Sequence, residues 1–307
     1  MRVVFAGTPD FAVPALQALI GHPKWRPVAV LTQPDRPAGR GRKLKFGPVK
    51  QVAVDAGIDV FQPDSLKSPE SRSPLVEIQP DLLVTAAYGL LLPAAVLELP
   101  VHGCWNLHAS LLPRWRGASP INQAVLAGDE QTGISLMQMD AGLDTGPVIM
   151  QRSTGIDPEE TAGQLHDRLA PLAAELLVDG LERLEAGRLP EPVPQDNELA
   201  THAPLIRKSD ARLDWQQSAG QLARLVRAYH PWPVAFAELE GVDFRIHRAR
   251  AVAGNGGAPG TLVRGRGHRD GIAVACGEGV LEILELQAPG RKRVTARDWL
   301  NAHPDWR

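Results

Sequence analysis

The sequence predicts an α/β chain: a mostly parallel sheet covered by helices on both faces, then a small C-terminal β-barrel. Three observations carry this prediction. Up to residue 188, short apolar, β-branched runs alternate with segments of helical period. Residues 189–204 then hold four prolines and no period, the mark of a linker. Beyond them, short alternating runs are separated by glycine turns, as in small barrels and sandwiches.

The elements follow in order. Residues 2–6 (RVVFA) form a β-branched run that stops at Gly7, and Asp10 is placed to cap the helical period of 11–20. Residues 27–31, 81–87 and 104–108 are further buried-strand candidates. Residues 132–139 and 147–152 read as a strand pair joined by a segment rich in Gly and Asp. A long helix fills 161–186, with Thr161 at its start and Gly187 at its stop. This alternation predicts a Rossmann-like first domain, 1–188, and a linker, 189–207. In 208–307 one helical segment, 218–228, precedes strand runs at 234–239, 244–251, 260–263, 271–275 and 280–287. That order predicts an OB-like barrel.

A length of 307 residues suits two domains, and a formal net charge of −2 argues at first against a polyanionic partner. The distribution says otherwise. Residues 1–199 carry 17 Lys+Arg against 24 Asp+Glu, a net of −7, whereas 200–307 carry 16 against 11, a net of +5. Such asymmetry invites a polyanion. Two cysteines far apart, Cys104 and Cys276, suit a reducing cytoplasm. No signal peptide is expected at the N-terminus, and Pro93, Glu98 and Pro100 interrupt the most apolar stretch well short of the ~20 residues a membrane span needs. The turn after the first strand has one glycine where a dinucleotide fingerprint has three, which disfavours a nicotinamide enzyme. No Cys/His set has zinc spacing, so no metal is expected.

The informative stretch is Trp105-Asn106-Leu107-His108-Ala109-Ser110-Leu111-Leu112-Pro113-Arg114-Trp115-Arg116-Gly117. Asn106 and His108 lie two apart on the fourth strand, so both side chains point to one face. They sit at the strand end, where open α/β sheets bind ligands. Asp140-Ala141-Gly142-Leu143-Asp144-Thr145-Gly146-Pro147 is a shaped loop with a carboxylate to offer. Asn, His and Asp without a Ser or Cys nucleophile suit direct acyl transfer between two substrates. Asn106 would stabilise a developing oxyanion. His108 would share that task and move a proton, and Asp144 would orient it. From the residues alone, a rim histidine and an ordinary Gly-Asp turn explain the pattern equally well.

At these residues the sequence resembles the folate-dependent formyltransferases. The stretch from Asn106 to Ile121 looks like their signature, and Asp140 to Gly146 looks like the loop carrying their catalytic aspartate. Three features resemble the branch acting on methionyl-tRNA: the opening Phe5-Ala6-Gly7-Thr8-Pro9-Asp10-Phe11-Ala12, the segment from Thr32 to Leu44, and a C-terminal part with Ala203-Pro204-Leu205-Ile206-Arg207-Lys208 and Pro231-Trp232-Pro233. The resemblance implies Asn106, His108 and Asp144 as the catalytic three and Ser110, Leu111, Leu112 and Pro113 as the folate-binding stretch. It also implies Phe11 beside the methionine side chain. The co-substrate implied is 10-formyltetrahydrofolate, and the acceptor is methionyl initiator tRNA.

The basic residues fit such an acceptor. Residues 33–50 form a Gly/Pro-rich loop with six basic residues, Arg36, Arg40, Arg42, Lys43, Lys45 and Lys50, against Asp35 alone. Arg36, Arg40, Arg42 and Lys43 are the expected phosphate contacts. A second basic element runs from Arg207 to Arg293, and the two would clamp a structured RNA, for which a monomer suffices. Trp215, Trp232, Trp299 and Trp306 are expected mostly in packing. Two other readings stay open: a formyltransferase for a small amine, such as a sugar nucleotide or glycinamide ribonucleotide, and a non-catalytic RNA binder on a retired enzyme fold.

Overall fold

An apolar run buried on both faces is what a central parallel strand requires, and β1 (Val3–Gly7) is buried at all five positions. The computed structural model describes residues 1–38, 43–254, 257–263 and 271–306, with backbone alone at 37, 38, 43 and 44. The chain forms two compact units. The first holds Met1–Pro120, Gln131–Thr154 and His166–Ala203, and the second Ile121–Glu130, Gly155–Leu165 and Pro204–Arg307. Two pieces of the second unit therefore come from within residues 1–188, which no composition shift announces.

In chain order the elements up to residue 188 begin with β1, α1 (Val13–Gly21), β2 (Pro27–Leu31), β3 (Arg36–Ala38), β4 (Lys43–Lys45), α2 (Pro48–Asp55), β5 (Asp59–Phe61) and α3 (Pro69–Ile78). Then come β6 (Leu82–Ala86), α4 (Ala94–Leu97), β7 (Cys104–His108) and the short β8 (Arg116–Gly117). α5 (Pro120–Ala127), β9 (Gln131–Gln138), β10 (Val148–Gly155) and α6 (Ala162–Glu185) follow. The seven-stranded sheet has the order β10-β9-β7-β6-β1-β2-β5. Its pairs β1–β2, β1–β6, β2–β5 and β6–β7 are parallel, and β7–β9 is antiparallel. The chain leaves β1 for β2 and β5 on one side and returns to β6 and β7 on the other. The switch point thus lies between β1 and β6, and the carboxyl ends of β1, β6 and β7 share one edge.

The long helix keeps its expected limits. Thr161 Oγ1 accepts from Gln164 N at 3.3 Å and Gln164 Oε1 from Thr161 N at 2.9 Å, a capping box. Gly187, at φ 62°, stops the helix. Two segments depart from expectation. The 33–50 segment, expected as a loop, contains the antiparallel pair β3–β4, with Arg36 opposite Lys45, and then α2 opened by Pro48. The segment 189–204, expected as a linker, is a strap on the first unit. Val193 bridges to Val148, and β11 (His202–Ala203) pairs in parallel with β8. Pro190, Pro192 and Pro194 keep its first part extended, a single 3-10 turn forms at Asn197–Leu199, and an extended chain needs only a few backbone donors to pair.

The second unit contains α7 (Ala219–Ala228), β12 (Ala235–Leu239), β13 (Val242–Val252), β14 (Ile272–Ala275), β15 (Val280–Gln287), β16 (Val294–Thr295) and α8 (Ala296–Ala302). Its strands form an antiparallel sheet in the order β12-β13-β15-β14, with β16 on β15. Register shifts between Ile246 and Ala249 bend the long β13 and curl the sheet. The run at 260–263 lies along β14: Gly260 N donates to Ala275 O, Ala275 N to Thr261 O and Val263 N to Ala273 O, and Leu262 bridges to Val274. Ser218 caps α7 through a capping box with Gln221, and Leu222, Ala223, Leu225 and Val226 of that helix join Phe244, Leu281 and Ile283 in one core. Trp299 and Trp306 meet Phe244 edge-on, with ring centroids 5.1 and 5.6 Å away, so both are packing residues. Trp232 is 54% exposed.

Candidate active site

The site is built where β7 ends. Asn106 and His108 sit on one face of that strand, and Leu107 between them is buried opposite. Thr85 on neighbouring β6 donates its hydroxyl to Asn106 Oδ1 at 2.8 Å. Asn106 Nδ2 then donates to Asp144 Oδ1 at 3.2 Å. A carboxylate oxygen can only accept, so the amide is fixed with its NH2 group toward the site. His108 is likewise fixed. Its Nε2 lies 2.8 Å from Trp115 O, which also can only accept, so Nε2 carries the hydrogen. Nδ1 is left facing Asp144 Oδ1 at 3.6 Å. That exceeds a hydrogen bond and is close enough for an ion pair once the ring is protonated. One donor, Asn106 Nδ2, and a ring nitrogen that becomes a donor on protonation therefore converge on one anionic oxygen.

Asp144 has a left-handed backbone, φ 53°, which a non-glycine residue holds only when its surroundings insist. The surroundings do. Gly117 N donates to Asp144 Oδ2 at 2.9 Å, and Gln195 Nε2 donates to Asp144 O and Gly146 O at 2.9 and 2.7 Å. Trp115, at φ 63°, is the other strained residue of the site, and its carbonyl is the one that orients His108. Gly117 itself needs to be glycine. Its φ is 116°, and a Cβ there would lie 2.6 Å from Ala203 O of the strap. Gly117→Ala is expected to lower stability by about 2 kcal/mol and Tm by several degrees, and to reduce turnover because it loosens Asp144. Thermal melts alongside an activity assay check both effects.

The stretch Ser110, Leu111, Leu112 and Pro113 follows β7 directly. Ser110 is fully buried, and its hydroxyl donates to Arg114 O at 2.6 Å. Ser135 Oγ donates to Ser110 O and accepts from Leu112 N, while Gln151 Nε2 donates to Leu112 O at 2.9 Å. What this turn presents to a ligand is therefore the partly exposed side chains of Leu111 and Pro113, rather than the Ser110 hydroxyl. Phe11 lies beyond β1, is buried, and has its ring 5.6 Å from that of His166. At the same sheet edge, Thr8 Oγ1 and Gln33 Nε2 both donate to Tyr88 O, tying together the segments that follow β1, β2 and β6.

The basic groups are less free than their number suggests. Arg36 donates to Gln33 Oε1 at 3.0 Å from an exposed position. Arg40 and Arg42 lie outside the described residues, as does the Lys43 side chain. Lys50 pairs with Asp35, whose carboxyl this bond and that from Gln62 hold below the usual range. Lys50 thus anchors the base of the segment. In the second unit Arg248 and Arg293 pair with Glu285, and Arg250 pairs with Glu282. Arg264, Arg266 and Arg269 lie outside the described residues. No group of three or more His, Cys, Asp and Glu able to hold a metal ion occurs among the described residues, and no helix there is long and apolar enough to cross a membrane. Cys104 is buried, which pushes its thiol up to about 12 and suits a core residue.

Four contributors to the site escape sequence reasoning: Thr85, the Trp115 carbonyl, the Gly117 N–H and Gln195. Thr85 leaves a trace, as the one hydroxyl in an otherwise apolar strand. The backbone groups leave none, and Gln195 sits in a proline-rich stretch with no pattern.

Comparison with known proteins gives the family. Residues 1–181 match the formyl transferase family, and residues 205–304 match the formyl transferase C-terminal domain. A methionyl-tRNA formyltransferase of Stenotrophomonas maltophilia is 55% identical over 308 residues, covering 100% of this chain and 99% of that one. One from Xanthomonas campestris is 56% identical, covering 99% and 98%. Among solved structures, the sugar 3N-formyl transferase WlaRD superposes with a TM-score of 0.69 at 16% identity, covering 95% of this chain and 99% of that one. A methionyl-tRNA formyltransferase from Clostridium thermocellum gives 0.56 at 18% identity, covering 82% and 94%. Both are likenesses of fold. The two matched families together run through nearly the whole chain, and its relatives are more than half identical from end to end: the chain belongs to the formyl transferase family.

Proposed function

We propose that the chain transfers a formyl group from 10-formyltetrahydrofolate to the α-amino group of methionyl initiator tRNA. The observation that carries this reading is the convergence of Asn106 Nδ2 and His108 Nδ1 on a single anionic oxygen, at 3.2 and 3.6 Å. An amide that already donates to a carboxylate oxygen suits the oxygen of a formyl group as it gains charge, and His108 Nδ1 lies beside it to exchange the proton. The folate supplies the formyl group and is a co-substrate. The neutral amine attacks the formyl carbon, a C–N bond forms, and the bond to the folate nitrogen breaks. Asn106 stabilises the oxyanion. His108, with Nε2 committed to Trp115 O, has Nδ1 to take the amine's proton and return one to the leaving nitrogen. Asp144 stabilises the charged ring meanwhile. No metal enters this scheme.

On this reading residues 1–188 form the catalytic part, 189–207 join it to the rest, and 208–307 bind RNA. The stretch Ser110, Leu111, Leu112 and Pro113 binds the folate, and Phe11 contacts the methionine side chain. Arg36, Arg40, Arg42 and Lys43 take phosphates. The protein acts as a cytoplasmic monomer. The relatives at 54–56% identity support the tRNA acceptor over a small amine.

Formyl transfer measured with charged initiator and elongator methionine tRNAs tests the reading, and the initiator is expected to react much faster. Its affinity is expected to fall on the order of 10²-fold between 50 and 200 mM salt if four basic residues each neutralise a phosphate. A flat salt response with turnover of a sugar nucleotide would favour the small acceptor, and absence of any folate-dependent transfer would leave only an RNA binder.

A further inference from the structure

The strap formed by residues 193–203 touches both halves of the acid–base pair. On the His108 side, Trp115 N donates to Thr201 Oγ1 at 2.8 Å and Arg116 N to Thr201 O at 2.9 Å, which places the Trp115 carbonyl against His108. On the Asp144 side, Gln195 Nε2 spans Asp144 O and Gly146 O. Gln195 is itself oriented. Its Oε1 accepts from Arg116 Nε at 2.9 Å, and Arg116 Nη1 donates to Asn197 Oδ1 at 3.0 Å. Arg116 is only 4% exposed and its Nη2 has no hydrogen-bond partner among the described residues. Burying a guanidinium on two neutral amides is costly, and that cost is unexplained by packing alone.

We propose that Gln195 and Arg116 are positioning residues: Arg116 locks the Gln195 amide, and Gln195 holds the Asp144 loop in the left-handed conformation that aims its carboxylate at Asn106 and His108. The inference rests on the catalytic role proposed for Asp144. Neither side chain is required to touch a substrate. Gly146 is part of the same device, since a Cβ there would collide with Gln138 O, and only glycine lets the loop pass so close to β9. The strap thereby does for the loop what a disulfide or metal does in other sites, restricting it to one geometry before substrate arrives.

The test compares Gln195→Ala and Gln195→Glu, alone and combined with Asp144→Asn, in the full-length enzyme. Gln195→Glu keeps the acceptor for Arg116 but has no N–H for the loop, so it separates folding from positioning. Both single variants are expected to lower kcat about 10- to 100-fold, with KM for folate and for tRNA changed less than about twofold. In the Asp144→Asn background, single-turnover rates are expected to fall less than about twofold further, because the group being positioned is already gone. Losses that multiply, or a rise in KM for tRNA at unchanged kcat, would overturn the positioning role and leave the catalytic assignment standing. Near-normal kcat in Asp144→Asn alone would instead overturn the assignment of Asp144 on which it rests.

Discussion

His108→Ala lowers kcat by about 10³-fold and leaves the dissociation constant for methionyl-tRNA within about twofold. The size follows from what is lost. His108 Nε2 is committed to Trp115 O at 2.8 Å, so the ring has one free nitrogen, and that nitrogen faces Asp144 Oδ1 at 3.6 Å. Removing it takes away the proton carrier, one of the two groups near the developing charge, and the cation that would balance Asp144. The ring is 6% exposed, so it offers little surface to an RNA and its loss should spare binding. Single-turnover transfer and a filter-binding titration, run on the same preparation, separate the two effects. A kcat within tenfold of wild type would mean that the proton travels another way.

The sheet is legible in the sequence because burial on both faces demands uninterrupted apolar runs. Strands β2 and β7 lie where the residues place them, and β1, β6, β9 and β10 differ by a few residues at their ends. The long α6 is legible for a related reason, since Thr161 and Gly187 carry explicit start and stop chemistry. Asn106 and His108 can be paired because a strand's period of two is rigid. Asp144 is different. Its loop can be seen, but residues 38 and 36 positions earlier give no distance, and only the fold brings the carboxylate to the strand end. The strap escapes for a physical reason. Prolines and polar residues describe a chain without a core of its own, and they are silent on whether that chain pairs with something else. Arg116 N, Ala118 N and Val148 N all donate to its backbone. The basic residues teach a second lesson. A count of charges treats Lys50, Arg250 and Arg293 as free, whereas each is committed to a carboxylate.

Asn106→Ala is expected to lower kcat by about 10²- to 10³-fold, and Asn106→Asp to lower it at least as far. The alanine variant loses the donor that would stabilise the oxyanion, and the Thr85 hydroxyl loses the acceptor it holds at 2.8 Å. It should still fold, because Asn106 is only partly buried and no backbone pairing depends on its side chain. The aspartate variant keeps the shape and reverses the chemistry. Its ionised carboxylate has no hydrogen to give, and one of its oxygens would sit about where the amide nitrogen now lies, 3.2 Å from Asp144 Oδ1. Two carboxylates that close cannot both ionise near neutrality, so one takes a proton. Activity of Asn106→Asp should therefore improve as pH falls, since a protonated carboxyl at position 106 regains a donor. A pH–rate profile checks this. If the aspartate variant matched wild type at neutral pH, donation from position 106 would play no part in the reaction, and His108 alone would have to carry the developing charge.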